Sequence, residues 1–171
     1  MKNKYTLLAL VVSSIGLNSS LFAAADGTIN FTGTVVDTAC VVTPTATVAL
    51  GTIAKGVFAA AGDTASPTTF TIELKTCPDT LKKANVRFDG KTTGDALLAL
   101  TAETGVATNI GVAIYESDSV TLIPVGQPSA SVTLDSTKPN ILTYIAKYRS
   151  TDKAVTAGPA NATTNITIVY N

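Results

Sequence analysis

From Thr69 to Lys75 the side chains alternate, with Phe70, Ile72 and Leu74 on one face of an extended chain and Thr71, Glu73 and Lys75 on the other. This period of two recurs along the chain and limits its fold more than any other feature. Val86 and Phe88 alternate around Arg87 before an Asp89-Gly90 turn signal, Val112 and Ile114 alternate with Ala113 and Tyr115, and Val132 and Leu134 flank Thr133. Leu142, Tyr144, Ala146 and Tyr148 share one face of a longer run, and Ile166, Ile168 and Tyr170 close the chain in the same way. Threonine, valine, isoleucine and alanine dominate these runs, while glycine, proline, asparagine and aspartate punctuate them at short intervals, which favours strands over helices. Roughly eight such strands predict an all-β, antiparallel sandwich of immunoglobulin-like kind, here without the tryptophan usual in those cores. Asp95 to Leu100 reads equally as a strand or as one helical turn, and Ala59 to Gly62 reads as loop.

The first residues carry a targeting signal. Lys2 and Lys4 form a short positive stretch, Leu7 to Val12 with Ile15 and Leu17 an apolar core, and Ala23 to Ala25 a small-residue cleavage site. The run is broken by Ser13, Ser14, Gly16 and Asn18, whereas a spanning helix needs about 20 apolar residues. Cleavage after Ala23 places Leu21 and Ala23 at the two recognition positions, and cleavage after Ala25 is the other reading. Export places Cys40 and Cys77 in an oxidising compartment, where a lone pair without C-x-x-C spacing predicts a disulfide.

What the chain lacks excludes most chemistry. It has no histidine, so there is no Ser-His-Asp or Cys-His machinery, and two cysteines with scattered carboxylates do not make the usual zinc set. No cofactor is implied. With 12 basic and 12 acidic side chains, and about −2 net after loss of Lys2 and Lys4, the charge argues against nucleic acid as a partner. Asp89, Asp95 and Asp118 stand in no calcium-binding spacing and read as solvated turn residues, and the Lys82-Lys83 pair is too small for a basic patch. The 171 residues hold one domain, with no internal repeat or break in composition.

Beyond the leader, Gly27, Ile29, Phe31, Gly33 and Val35 fall on one face of an extended strand. Periodicity leaves two readings open: a first strand of the domain's own sheet, or a strand that waits for a partner, since terminal residues are ordinarily solvated unless tied down. The C-terminal run from Ile166 to Tyr170 is a core strand on the same criterion.

Taken in order, Gly27-Thr28-Ile29-Asn30-Phe31-Thr32-Gly33, Val35 to Cys40, Leu50-Gly51, Leu74 to Cys77, Thr108 to Val112 and the closing Tyr170-Asn171 resemble a type 1 fimbrial major subunit of the chaperone–usher pathway. The resemblance implies an incomplete immunoglobulin-like sandwich, lacking its last strand and completed by a donor strand from a neighbouring subunit or a chaperone. It divides the chain into a signal peptide (1–23), an N-terminal donor-strand extension (24–33) and a pilin domain (34–171). Gly27, Ile29, Phe31 and Gly33 would form the donor strand, with Ile29 and Phe31 as anchors and Gly27 where bulk is not tolerated. Ile166, Ile168, Tyr170 and the terminal Asn171 would form the groove edge that the chaperone grips. The implied partners are identical or related subunits in a linear polymer, a periplasmic chaperone, an outer-membrane usher and, through the assembled fimbria, a host receptor. The implied location is a fimbria on the bacterial surface, reached through the periplasm. The alternative within the family is a minor pilin or adhesin-type subunit that binds a host glycan. One-domain length argues against a two-domain tip adhesin, and low charge with many small residues suits a repeated shaft subunit.

Overall fold

The computed structural model describes residues 28–33, 35, 38–44, 47–94 and 96–171. The leader, Gly27 and Asp95 lie outside the described residues. Residues 1–35 and 36–171 form separate units, and the second is the sandwich.

Its strands are β1 (Val41–Pro44), β2 (Thr64–Lys75), β3 (Lys83–Asp89), β4 (Thr92–Thr93), β5 (Leu97–Leu98), β6 (Ile110–Glu116), β7 (Leu122–Ile123), β8 (Val132–Thr133), β9 (Asn140–Ser150) and β10 (Asn165–Tyr170). They form two antiparallel sheets. One runs β1-β2-β9-β6-β5-β4, with β7 added to β6, and the other runs β10-β3-β8. A single 3-10 turn, Lys55–Val57, is the only helical element among the described residues.

The alternation read from the sequence sets which face is buried. Ile72 and Leu74 of β2, Val86 and Phe88 of β3, and Leu142, Tyr144, Ala146 and Tyr148 of β9 are all buried. They meet in two clusters. One gathers Ile72, Leu74, Val86, Phe88, Ile114 and Tyr144 near the disulfide, and the other gathers Phe58, Leu98, Ile110, Val112, Ala146 and Tyr148. Phe70 packs against both. Its ring lies 6.0 Å from Phe88, which stands edge-on to Tyr144 at 5.2 Å, an arrangement favoured by the ring quadrupoles.

Three local expectations are refined. β6 is buried on both faces, because Leu97 and the half-buried Leu122 and Ile145 cover Ala113 and Tyr115 on the side away from the main core. The ambiguous run after Asp95 contributes the two-residue strand β5. β8 is also only two residues long, with Val132 exposed and Leu134 buried beyond its end.

Turn carboxylates close the connections. The Asp135 carboxylate accepts the Thr137 N–H at 2.9 Å and its hydroxyl at 2.6 Å. Those bonds, with the nearby Lys138 ammonium, hold its carboxyl down at about 2. The Asn140 amide pins the same turn from the start of β9, bonding both main-chain groups of Asp135. Asp118 caps the β6–β7 turn in the same way, and the Thr121 hydroxyl, followed by the Thr121 and Val120 N–H groups, lowers its carboxyl.

Cys40 and Cys77 are joined, with Cα atoms 4.2 Å apart and a separation of 37 in sequence. The bond ties the entry to β1 to the exit from β2 and reinforces an edge pairing of only four residues. Closing a loop of this length restricts the unfolded chain by about 4 kcal/mol. Replacing both cysteines by serine should therefore lower stability by roughly 2–5 kcal/mol, measured by chemical denaturation.

Candidate strand-acceptor groove

A groove of about 660 Å³ runs between the two sheets. One wall is the segment 47–51 that follows β1, and the other is the segment 160–166 that leads into β10. The floor consists of core residues: Phe70, Ile72, Phe88 and Ile114 from one cluster and Leu98, Val112, Ala146 and Tyr148 from the other. The groove thus lies along the seam where the two clusters meet. Apart from the half-buried Phe70, its floor is nearly covered, so the apolar surface it still offers comes largely from Val48, Leu50, Ala162 and Ile166, all half-buried.

The backbone of β10 leaves an open edge where this wall joins it. Asn171 N–H donates to the Lys83 carbonyl at 3.0 Å, and Lys83 N–H donates back to the Asn171 main-chain oxygen at 3.2 Å. Antiparallel pairs alternate between bonded and non-bonded, so by register Val169, Thr167 and Asn165 also bond to β3. Ile166, Ile168 and Tyr170 must then direct their N–H and C=O groups away from β3. No strand among the described residues pairs with that edge. Their side chains meanwhile pack on the core. The same three residues therefore serve as core on one count and as an open hydrogen-bonding edge on the other. Leaving such groups without partners in a dry site costs about 1–3 kcal/mol each, which makes the edge a template for another strand.

The two walls are held differently. In the 160–166 wall Thr101 N–H donates to the Asn161 carbonyl at 2.7 Å, and just ahead of it Ala107 N–H donates to the Pro159 carbonyl at 3.0 Å. Beneath it, the Tyr148 hydroxyl donates to the Ala160 carbonyl at 3.0 Å, and burial pushes that hydroxyl's pKa up, keeping its proton. Gly158 permits this close approach, since a Cβ there would stand 2.0 Å from the Gly105 carbonyl oxygen. The 47–51 wall is fastened by side chains: the Ser66 hydroxyl donates to the Leu50 carbonyl, and the Thr68 hydroxyl to that of Ala49 at 3.4 Å.

Of the residues singled out by sequence, Ile166 lines this groove, Ile168 and Tyr170 continue the open edge of β10 beyond it with their side chains on the core, and Asn171 extends the ladder with its side chain exposed. In the other unit, Ile29 and Phe31 are 79% and 92% exposed and Gly33 has open space around its Cα. Both are large apolar side chains left almost wholly to solvent. Of the 47–51 wall the sequence drew notice only to Leu50-Gly51, although Val48 and Leu50 alternate there with Thr47 and Ala49. Sequence reading passed over Ser66, which no periodicity would reveal. Asp89, set aside as a turn residue, is held by Arg87 at 2.8 Å and by the Thr167 hydroxyl at 2.9 Å, which together lower its carboxyl.

The model of the fimbrial protein family matches residues 29–171. The chain is 38% identical over 176 residues to a probable major fimbrial subunit, LpfA, of Escherichia coli, an alignment covering 97% of this chain and 94% of that protein. It is 37% identical to long polar fimbria protein A of Salmonella typhimurium, again over 97% and 94%. Among solved structures, the P pilus rod subunit PapA superposes with a TM-score of 0.64 over 78% of this chain and 100% of that one, at 19% identity.

Proposed function

This chain belongs to the fimbrial protein family, and from that premise we propose that it is the repeating shaft subunit of a chaperone–usher fimbria. It is a structural subunit and not an enzyme, polymerised by donor-strand exchange into a fimbria that supports adhesion. The observation that carries the mechanism is the open β10 edge, where the N–H and C=O groups of Ile166, Ile168 and Tyr170 face away from β3 and which begins at Ile166 in the wall of a groove floored by core.

In this reading residues 1–23 are the signal peptide, 24–33 the donor extension and 34–171 the pilin domain. The extension of one subunit, with Gly27, Ile29, Phe31 and Gly33 on one face, enters the groove of another, with Ile29 and Phe31 as anchors and Gly27 where side-chain bulk would collide. Burying each anchor contributes about 1.5–3 kcal/mol, before the new ladder is counted. Before that exchange a periplasmic chaperone supplies the missing strand and grips the Asn171 carboxylate, and an outer-membrane usher hosts the transfer. Each subunit offers one extension and one groove, so the contact is heterologous and grows as a filament. A host receptor would be met through the assembled fimbria.

The shaft assignment draws support from the likeness to a probable major subunit over nearly the whole chain and from the exposed anchor residues of a chain able to donate as well as accept. Filaments sheared from cells and separated on a denaturing gel should consist mainly of this protein. Recovery of a single copy confined to filament tips, with glycan binding by the isolated subunit, would overturn the shaft assignment in favour of a minor or adhesin role.

A further inference from the structure

We propose that Ser66 is a positioning residue that latches the 47–51 wall of the groove and thereby sets how firmly an inserted strand is retained. The inference rests on the reading of the groove as a strand acceptor.

Backbone pairing between β1 and β2 ends at Pro44 with Ile72. Beyond it, residues 47–50 keep the alternation of a strand, with Val48 and Leu50 turned inward, but join no ladder. Opposite this stretch β2 is irregular, its register with β9 shifting between Ala65 and Thr68. Ser66 there adopts a φ of 57°, and Pro67 brings no N–H to offer. A left-handed backbone is uncommon for a serine, and the residue before proline is further restricted. Such outliers persist where the surrounding structure demands them, and they concentrate at ligand clamps and switching segments.

Glycine would take this φ without strain. The serine at this place has a specific partner, because its hydroxyl donates to the Leu50 carbonyl across the gap that the bulge opens. The opposite wall is tied by main-chain N–H donors from Thr101 and Ala107, whereas the 47–51 wall depends on the Ser66 hydroxyl and a longer bond from Thr68. The geometry therefore leaves one fixed wall and one latched wall. A strand entering the groove must form its second ladder with the latched one, which can yield to admit it and is drawn back by Ser66 once it is seated.

The test uses the full mature chain held by its chaperone and a synthetic peptide of residues 24–35, with wild type, Ser66→Gly and Ser66→Ala in parallel. Both variants should release the bound peptide about tenfold faster in denaturant, as loss of one hydrogen bond implies. Amide exchange should accelerate about tenfold at 47–51 and stay unchanged across Asn140–Ser150, which a general loss of stability would not produce. Ser66→Gly separates latch from backbone strain: it relieves the strain and removes the hydroxyl. If Ser66→Ala does not fold, Ser66→Gly still decides. Wild-type release and exchange in Ser66→Gly would overturn the latch while leaving the groove reading intact. A wild-type chain that takes up no peptide would overturn the groove reading and the latch with it.

Discussion

Removal of Ala24 to Phe31 from the mature chain is expected to yield a subunit that its chaperone still captures but that alone builds no filament. The deletion takes away Ile29 and Phe31, the exposed apolar side chains at the start of the chain. It touches no residue of either sheet and no lining residue of the groove. Acceptance should therefore survive, since the β10 edge and both walls remain. Donation should fail outright. Losing two anchors at about 1.5–3 kcal/mol each, together with the backbone ladder, removes more free energy than a subunit contact can spare. Filament yield on electron micrographs of cells expressing only the truncated chain should be nil, and adding it to wild-type subunits should shorten fibres. Normal filaments from the truncated chain alone would sink the donor assignment.

The complementary defect should come from Ala146→Phe. Ala146 is 4% exposed, sits on β9 and lies in the floor of the groove. A ring there projects into the 660 Å³ space that the donor strand is to fill. The extension is untouched, so this variant should donate to a wild-type groove while accepting no strand itself. Uptake of the 24–35 peptide should fall by at least 100-fold, since overpacking of a close-fitting site costs about 1–3 kcal/mol or more and blocked insertion also forfeits the ladder. Mixing this variant with the truncated chain should produce pairs that grow no further, read directly by native mass spectrometry. Peptide uptake at the wild-type rate would mean that the floor at Ala146 is not where the strand lies.

Much of this fold is legible in the order of residues. Period-two alternation placed the inward faces of β2, β3, β9 and β10 correctly, because a half-buried strand writes its two faces into neighbouring residues. Cys40 and Cys77 were paired on compartment and spacing alone. The two faces of β6 were not legible, because the side chains that cover Ala113 and Tyr115 come from Leu97, Leu122 and Ile145, far apart in sequence. The short β8 shows a different failure. Val132 and Leu134 carry the right pattern, but a pattern does not say whether a neighbouring backbone lies within bonding distance.

The groove divides in the same way. Ile29, Phe31, Ile166, Ile168 and Tyr170 are conspicuous in the sequence as alternating apolar residues near its two ends. Which backbone groups of β10 face outward depends on the bonded pair of Asn171 with Lys83, a matter of register between distant strands. The latch at Ser66 depends on a local φ of 57° and on the position of the Leu50 carbonyl. Serine before proline in a polar run looks like any other turn in the sequence.

By itself, then, the sequence determined that this chain is all-β, disulfide-linked, free of histidine-based chemistry and apolar at both ends, because these are properties of residue type and spacing. Only the tertiary structure decided that the last strand presents an open edge over a groove, that one wall is fixed by main-chain bonds and that the other hangs on hydroxyls. Those properties depend on which backbone groups are left over after the sheets have paired, and hydrogen-bond satisfaction is decided by the whole fold.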